Sequence, residues 1–262
     1  MEDAAFAVDH RLFAGQRSGE VVLLHFKDKP LLHVADLGAK RALFNFLDRV
    51  ACCGDTKVLL IKEPPAKMAR AEFAAFCKEM FTPGISQMAF ERMNNAVGQL
   101  ILKLAGLCKL VVHADRGEVA WLSMNISLAR DCRIVADDTV FYNPNINMDI
   151  APKGGSVFFL SKMVGTATAF KILFSGEDLV AAHACQLGLV DKVVRPAELD
   201  RAALEMARYW ARVSSGYAAG VKKLLHYDIG ELAGFLEFES ELLRRQIRAG
   251  RLEGFVPARL SG

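Results

Sequence analysis

An asparagine-rich stretch stands out as a place where polar groups could act on a ligand. FYNPNINMDIAPKGG, residues 141–155, places Asn143, Asn145 and Asn147 between apolar segments. Such a passage is typical of either a binding loop or a plain turn, because loops present polar atoms without needing a core partner. An amide can hold and orient a water molecule but does not titrate near neutral pH. Asp149 is the one acid in the stretch that could transfer a proton.

The cysteines offer no pattern for metal or disulfide chemistry. None is spaced as C-x-x-C, and two of them are adjacent. Zinc sites and disulfide frameworks both require characteristic spacings. The sequence therefore predicts no metal site and reduced, mostly buried thiols. The six are Cys52, Cys53, Cys77, Cys108, Cys132 and Cys185.

Charge and composition exclude several classes of protein. The chain has 262 residues, of which 52% are apolar, enough for one large domain or one domain with a small appendage. Its 33 basic and 30 acidic residues give a net charge of +3. That balance does not suggest nucleic acid, although it is compatible with a polyanionic small ligand.

Neither a signal peptide nor a membrane span is expected. The opening residues, MEDAAFAVDHRLFAG, contain no apolar run long enough for a signal peptide. No run of about 18 consecutive apolar residues occurs, as a membrane-spanning helix would need. We therefore expect a cytoplasmic protein.

Short apolar runs predict buried strands that alternate with helices. The strand runs have four to six residues rich in valine, isoleucine and leucine, as in parallel strands buried on both faces. They are VVLLHF (21–26), KVLLI (57–61), LVVH (110–113) and CRIVA (132–136). Helical patterns cover residues 37–50, 88–107, 158–174, 181–187, 199–213, 220–225 and 231–248. This succession predicts an α/β fold.

The two ends of the chain differ in predicted structure. No strand is expected after Gly155, so a sheet-bearing part gives way to a helical last third. We place the boundary between a core at residues 1–195 and a C-terminal helical region at residues 196–262.

Several motifs, in order, resemble the crotonase superfamily, which includes the enoyl-CoA hydratases and isomerases. RDCRIVADDTVFYNP is similar to a family stretch that runs from a Cys-Asp pair through a strand to Phe-x-x-Pro-Glu. SGEDLVAAHACQLGLVDKVV matches the family pattern at Ala182, Gly188, Leu189 and Val190. LCKLVVHADRG and TKVLLIKEPPAKMARAEF take the places of a family strand-and-turn and of the first substrate loop. The resemblance covers roughly residues 15–255.

The resemblance implies an architecture and a ligand. The fold would be a crotonase-like spiral of ββα turns, followed by C-terminal helices that pack homotrimers or dimers of trimers. The substrate would be an acyl-CoA or an acyl-carrier thioester, with no separate cofactor. Family members grip the thioester oxygen with two backbone N–H groups as it becomes an enolate, and many use two glutamates to handle water or a proton.

By the resemblance, the two backbone N–H groups that bind the thioester oxygen correspond to those of Arg70 and Leu122. Arg70 N–H falls where the family has an A-G-x-D stretch, and its glycine is absent. Leu122 lies in Trp121–Leu122–Ser123, where the family has three glycines. Glycine lets a backbone approach a ligand closely, so each added Cβ narrows the approach. Trp121 is expected to pack in the interior.

Both family glutamates are replaced by amides. The first falls on Asn125 and the second on Asn145. Hydration needs groups that titrate near the working pH, so these two positions do not support glutamate-dependent hydration. Asp149, on the same loop, is the preferred substitute acid, ahead of Glu72 and Glu118. All three are also typical of solvated loop charges.

Each of the remaining polar residues that could belong to the site could instead have a purely structural role. Lys222 matches a family lysine that approaches the CoA phosphates, although a solvent-facing lysine is nearly as typical. Asp131 is expected to hold backbone. His113 is predicted to be a core residue, and His226 a surface residue near a helix end.

Two kinds of function follow. One is an enzyme that stabilises an enolate without the glutamate pair, in a lyase-type or decarboxylase-type reaction such as loss of CO2 from a malonyl-type thioester. The other is a catalytically inactive relative that binds a thioester or serves as a structural partner. An unrelated function on the same scaffold stays open, because a fold does not fix a function.

Overall fold

A seven-stranded sheet forms the centre of the molecule. The computed structural model describes residues 5–248 except 28, 34–35, 65–68 and 82–86, so part of the predicted substrate loop and the end of the C-terminal region lie outside the described residues. The strands of this sheet lie in the order β1-β2-β3-β4-β5-β7-β10, antiparallel from β1 to β3 and parallel from β3 to β10. They are β1 (Val8–Asp9), β2 (Phe13–Ser18), β3 (Val21–Phe26), β4 (Val58–Lys62), β5 (Leu110–Asp115), β7 (Cys132–Ala136) and β10 (Lys192–Val194).

A second, smaller sheet lies beside the first. It has the order β6-β8-β9, with β6 and β8 parallel and β8 and β9 antiparallel. Its strands are β6 (Glu118–Ala120), β8 (Val140–Tyr142) and β9 (Leu179–Val180).

The parallel strands are apolar along their length because both faces of the sheet are covered. Leu59 and Ile61 of β4 belong to the larger core cluster, whereas Val58 and Leu60 belong to a smaller cluster that includes Ala203 of a late helix. Side chains alternate between the two faces of a strand, so burial on both sides requires a continuous apolar run.

Ten α-helices cover the sheets over the described residues. They are α1 (Leu37–Cys52), α2 (Arg70–Phe81), α3 (Gln87–Ala105), α4 (Trp121–Leu128), α5 (Ser156–Val164), α6 (Thr166–Ser175), α7 (Ala181–Gln186), α8 (Leu199–Trp210), α9 (Ser215–Leu225) and α10 (Ile229–Arg248). Asp36 begins α1 by accepting a hydrogen bond from Ala39 N at 2.9 Å, and Ser214 caps α9 in the same way.

Two predictions about the second half of the chain are wrong. The predicted helix at residues 158–174 is two helices, because Gly165 between α5 and α6 has φ 76°, which a continuous α-helix excludes. Strands also continue after Gly155, as β9 and β10. These strands have two and three residues, too few for a periodic pattern, and they form because β8 and β7 provide backbone partners.

The predicted α/β class is confirmed, and the elements around the asparagine-rich loop can now be placed. Residues 143–155 connect β8 to α5 and contain a short 3-10 helix at Ile146–Met148. The start of α4 lies against one side of this loop, and α10 lies against another. The division at residue 195 stays a prediction.

Candidate active site

A small apolar pocket lies where α2, α3, α4, α10 and the asparagine-rich loop meet. It encloses about 30 Å³, room for about one or two water molecules. Most of the lining is aromatic or aliphatic. The described residues that line it are Phe73, Phe76, Cys77, Phe90, Met93, Asn94, Leu122, Asn145, Met148, Ile150, Ala151, Lys153 and Leu243. Two of the residues singled out in the sequence, Leu122 and Asn145, therefore face the same space.

Asn125 is held rigidly beside this pocket. Its side chain is 1% exposed, and Nδ2 donates a 2.6 Å hydrogen bond to the Lys153 carbonyl oxygen. Its Oδ1 is buried without a hydrogen-bond partner among the described residues. A carboxylate at this position could not donate to the Lys153 carbonyl, so the amide suits the local structure better than the glutamate of the family would.

Asn145 is tied to the same loop. Its Nδ2 donates to the Ala151 carbonyl oxygen at 3.2 Å, and its backbone N–H donates to Asn143 Oδ1 at 3.1 Å. The side-chain amides of Asn125 and Asn145 thus donate to the backbone carbonyl oxygens of Lys153 and Ala151. The stretch is a structured loop beside a pocket, which combines the two readings that the sequence left open.

Gly154 lets the loop and α4 approach closely. Its φ is 92°, and a Cβ built there would lie 3.1 Å from Asn125 Cβ and 3.3 Å from Leu122 Cδ1. Both the backbone angle and the spacing therefore favour glycine. The contact places Asn125 and Leu122 together at one wall of the site.

The proposed oxyanion donors both lie at helix starts. Arg70 is the first residue of α2 and Leu122 the second residue of α4. The first four N–H groups of a helix have no partner within the helix, and the helix dipole makes this end attractive to negative charge. The start of α4 also has no side-chain cap, since its N-cap is Ala120.

The Arg70 side chain fixes the start of α2. Its Nε donates to Glu118 at 2.6 Å and its terminal nitrogens donate to Asp178 at 3.1 and 2.7 Å. The guanidinium also lies 4.7 Å from the centre of the Tyr142 ring. These ion pairs raise the pKa of Arg70 above its ordinary value. Glu118 therefore has a structural partner, which reduces its suitability as a proton carrier.

The other acids singled out in the sequence lie away from the pocket lining. Asp149 is exposed, has a left-handed backbone with φ 51°, and ends the 3-10 helix. Glu72 accepts a 2.6 Å hydrogen bond from Lys29 Nζ, which lowers the Glu72 pKa. Asp149 and Glu72 are not among the described residues that line the pocket.

Lys153 and Glu239 form a buried ion pair that the sequence patterns did not indicate. Lys153 Nζ lies 3.1 Å from Glu239 Oε1, and both side chains are less than a tenth exposed. The Glu239 carboxylate also accepts hydrogen bonds from Gly154 N at 2.8 Å and Gly155 N at 2.9 Å. One residue of α10 therefore anchors the whole turn that precedes α5.

The cysteine that lines the pocket is poorly suited to nucleophilic chemistry. Burial raises the pKa of Cys77 to about 12, so its thiol stays neutral at physiological pH. All six cysteines are free, in line with the predicted reduced thiols. The prediction that most are buried is wrong, because Cys77 and Cys132 alone among the six are buried.

Lys222 lies in the interior, close to Asp131. Its ammonium donates to Asp131 Oδ2 at 2.7 Å and to the carbonyl oxygens of Lys109 and Leu104 at 3.1 and 3.3 Å. Asp131 also accepts a 2.7 Å bond from Val111 N, as expected of a residue that holds backbone. The solvent-facing reading of Lys222 is wrong, while its role in CoA binding stays a prediction.

The histidines and the tryptophan of the sequence analysis occupy structural positions. His113 is 3% exposed and its Nε2 lies 3.4 Å from Glu63 Oε1, so the predicted core location is confirmed. His226 ends α9 and is partly buried. Trp121 is 1% exposed and donates from Nε1 to Ser156 Oγ at 3.0 Å, so it packs in the interior as expected.

Comparison with curated proteins identifies relatives that act on two kinds of carrier. Over 155 residues the chain is 30% identical to a trans-2-decenoyl-[acyl-carrier-protein] isomerase of Streptococcus mutans, covering 59% of this chain and 58% of the relative. It is 29% identical over 138 residues to a short-chain-enoyl-CoA hydratase of Clostridium acetobutylicum, covering 50% and 53%. The chain thus spans about half the length of the curated relatives it matches.

Solved structures share the fold over nearly the whole chain. An enoyl-CoA hydratase from Bacillus halodurans superposes with a TM-score of 0.80 at 16% identity, covering 95% of this chain and 100% of that one. An enoyl-CoA hydratase from Mycobacterium avium gives a TM-score of 0.75 at 17% identity, covering 92% of each. The predicted crotonase-like fold is therefore confirmed.

No helix in the described part of the chain combines the length and the apolar character that a membrane-spanning helix needs.

The family model agrees with the motifs and the fold. The family model described as enoyl-CoA hydratase/isomerase matches residues 75–251, more than half of the chain. The match includes every described residue that lines the pocket except Phe73, and on it the chain belongs to the enoyl-CoA hydratase/isomerase family.

Proposed function

We propose that this protein binds an acyl thioester and stabilises its enolate, in a lyase-type or decarboxylase-type reaction without the usual glutamate pair. The observation that carries the proposal is the position of Asn125 and Asn145, whose amides donate to the carbonyl oxygens of Lys153 and Ala151. An amide neither takes a proton from water nor supplies one to carbon near neutral pH. Hydration by two glutamates is therefore not the proposed reaction.

Enolate stabilisation needs fewer groups than hydration. When a malonyl-type thioester loses CO2, the electrons of the broken C–C bond move to the thioester oxygen, which backbone N–H groups can stabilise. The enolate carbon then takes a proton from water, which gives the acetyl thioester and hydroxide. Arg70 N–H and Leu122 N–H, at the starts of α2 and α4, are the proposed donors. Asp149 would contribute only if its exposed loop moved toward the substrate.

The apolar lining suits an acyl group, but the pocket must open to admit one. Phe73 and Phe76 of α2 and Phe90 and Met93 of α3 form one wall. The enclosed volume of about 30 Å³ is smaller than ligand pockets of several hundred Å³. Binding would therefore separate α2 from α3 or from α4. The carrier would be CoA or an acyl-carrier protein, since the two named relatives act on one each.

The closed pocket favours one alternative, a catalytically inactive binding or structural partner. In such a relative the amides of Asn125 and Asn145 would serve only to hold the loop. The family fold would then present a surface for other copies of the chain, as a homotrimer or a dimer of trimers. Exposed apolar side chains on the late helices suit such an assembly; they are Tyr217, Leu224, Leu225 and Phe238.

Calorimetry with thioesters tests binding, and product analysis tests turnover. We expect binding of malonyl-CoA, and release of CO2 with formation of acetyl-CoA. Binding without any product, across malonyl-CoA and crotonyl-CoA, would favour the inactive alternative. No binding of either ligand up to about 1 mM would overturn the thioester proposal.

A gain-of-function variant tests whether the oxyanion donors are usable. We expect the combined change Asn125→Glu and Asn145→Glu to create or raise crotonyl-CoA hydration, because it restores both carboxylates. Asn147→Glu, on the same loop but exposed, is the matched control and should gain nothing. A folded double variant without hydration would argue against an open pair of donors at Arg70 and Leu122.

A further inference from the structure

We propose that Lys153 is the specificity residue of this pocket and selects acyl thioesters whose acyl group carries a carboxylate. The proposal rests on the thioester-binding function above and names the class of substrate. Of the described residues that line the pocket, Lys153 alone carries a positive charge. The rest of the lining offers a neutral acyl chain only apolar contacts, a thiol and two amides.

The ammonium of Lys153 has bonding capacity left for a ligand. Among the described residues, two acceptors lie within hydrogen-bond distance of Nζ, namely Glu239 Oε1 and Ser240 Oγ, both at 3.1 Å. A lysine ammonium has three donors. The third N–H therefore has no acceptor among the described residues, and Lys153 is one of the residues that line the pocket.

Glu239 does not satisfy the positive charge completely, because it serves three donors. One carboxylate oxygen accepts from Gly154 N as well as from Lys153, and the other accepts from Gly155 N. The backbone N–H groups take up part of the negative charge of the carboxylate. Lys153 and Glu239 together are neutral, so a substrate carboxylate would gain a charge-assisted hydrogen bond from Nζ against some repulsion from Glu239.

The charges and the burial around Lys153 affect its pKa in opposite directions. Burial lowers the pKa of Lys153 below its ordinary value of 10.5. The charged groups that face it oppose or support that shift: Glu239 of α10 and Glu91 of α3 raise the pKa, and Arg244 of α10 lowers it. A substrate carboxylate would favour the charged form, so its binding should raise the Lys153 pKa and take up a proton.

The experiment compares two ligands that differ in charge at the same place. Malonyl-CoA ends in a carboxylate, and acetoacetyl-CoA has a methyl ketone of similar size. By calorimetry we expect wild-type protein to bind malonyl-CoA about tenfold more tightly, because the carboxylate forms an ion pair with the ammonium, whereas the ketone oxygen accepts a hydrogen bond but carries no charge. Lys153→Met should remove this preference while both ligands still bind. Lys162→Met, on the exposed side of α5, is the matched control and should keep it.

A second variant and a second measurement cover the case in which Lys153→Met does not fold. Lys153→Arg keeps the charge but titrates at far higher pH, so we expect it to keep the preference and lose the proton uptake. Proton uptake is obtained from calorimetry in two buffers of different ionisation enthalpy between about pH 7 and 10. Equal affinity of wild-type protein for the two ligands, or a preference that survives in folded Lys153→Met, would overturn the assignment. Failure of wild-type protein to bind either ligand would instead remove the proposed thioester function itself.

Discussion

Two buried lysines, Lys153 and Lys222, make the same kind of ion pair in different settings. Each lies beside a carboxylate that also holds backbone N–H groups: Glu239 binds the turn before α5, and Asp131 binds β5. Burial lowers the pKa of both lysines. The difference is that, among the described residues, the Lys222 ammonium has three acceptors, while the Lys153 ammonium has two and Lys153 borders a pocket.

The comparison separates a structural charge from a candidate binding charge. Burial and a shifted pKa are common to both lysines, so neither property identifies a site by itself. What distinguishes Lys153 is unused bonding capacity next to space that a ligand could enter. The interior contacts of Lys222 complete its three donors, which leaves none for a CoA phosphate unless the side chain leaves this position.

The largest effect is expected from Glu239→Ala. This change leaves a buried ammonium and two backbone N–H groups without their acceptor, so the free energy of unfolding should fall by about 3–5 kcal/mol. Urea unfolding followed by circular dichroism measures it. Glu237→Ala, exposed on the same helix, should change stability by less than about 0.5 kcal/mol. Equal effects of the two variants would mean that α10 does not anchor the loop.

Lys222→Met should destabilise the protein by about 3 kcal/mol, because Asp131 loses its partner while keeping the Val111 N–H. Lys223→Met, its exposed neighbour, is the control. CoA affinity of the folded variant decides between the two roles of Lys222. Unchanged affinity would agree with a structural lysine, whereas a loss with little change in stability would support the role implied by the family.

The smallest effects on stability are expected from alanine substitutions of Asn125 and Asn145, whose side chains bind the backbone of the loop that carries Lys153. Asn125→Ala should cost about 1–3 kcal/mol, since it leaves the buried Lys153 carbonyl without a donor. Asn145→Ala should cost about 0.5–1.5 kcal/mol, because the side chain is only partly buried. The same unfolding assay measures both changes. A larger cost for Asn145 than for Asn125 would contradict this ranking.

Much of the fold was predictable from local patterns. The bounds of β3 and β7 match the predicted runs at residues 21–26 and 132–136, because strands covered on both faces are mostly apolar, although β7 also contains the buried Arg133. β2 was missed, since Gln16 and Arg17 interrupt its apolar pattern. Its Gly15 lies so close to the Phe46 ring that a Cβ there would meet Phe46 Cε2 at 2.4 Å, a contact no local pattern indicates.

The candidate site was predictable only in part. Motif order placed Asn125, Asn145 and Leu122 around one site, and the structure brings these three together. Asp149 belongs to the same loop as Asn145 but is not among the described residues that line the pocket. Loop residues a few positions apart can point in different directions, and the left-handed turn at Asp149 depends on the whole loop.

The sequence by itself determined the α/β succession and the family, since each follows from residue types in a given order along the chain. Only the tertiary structure decided that Lys153 meets Glu239, because the turn at Gly154 and the Glu239 carboxylate lie 85 positions apart. Contacts at that separation depend on how α10 packs against the loop. The tertiary structure thereby places a lysine as the one positively charged residue on the described lining of an apolar pocket.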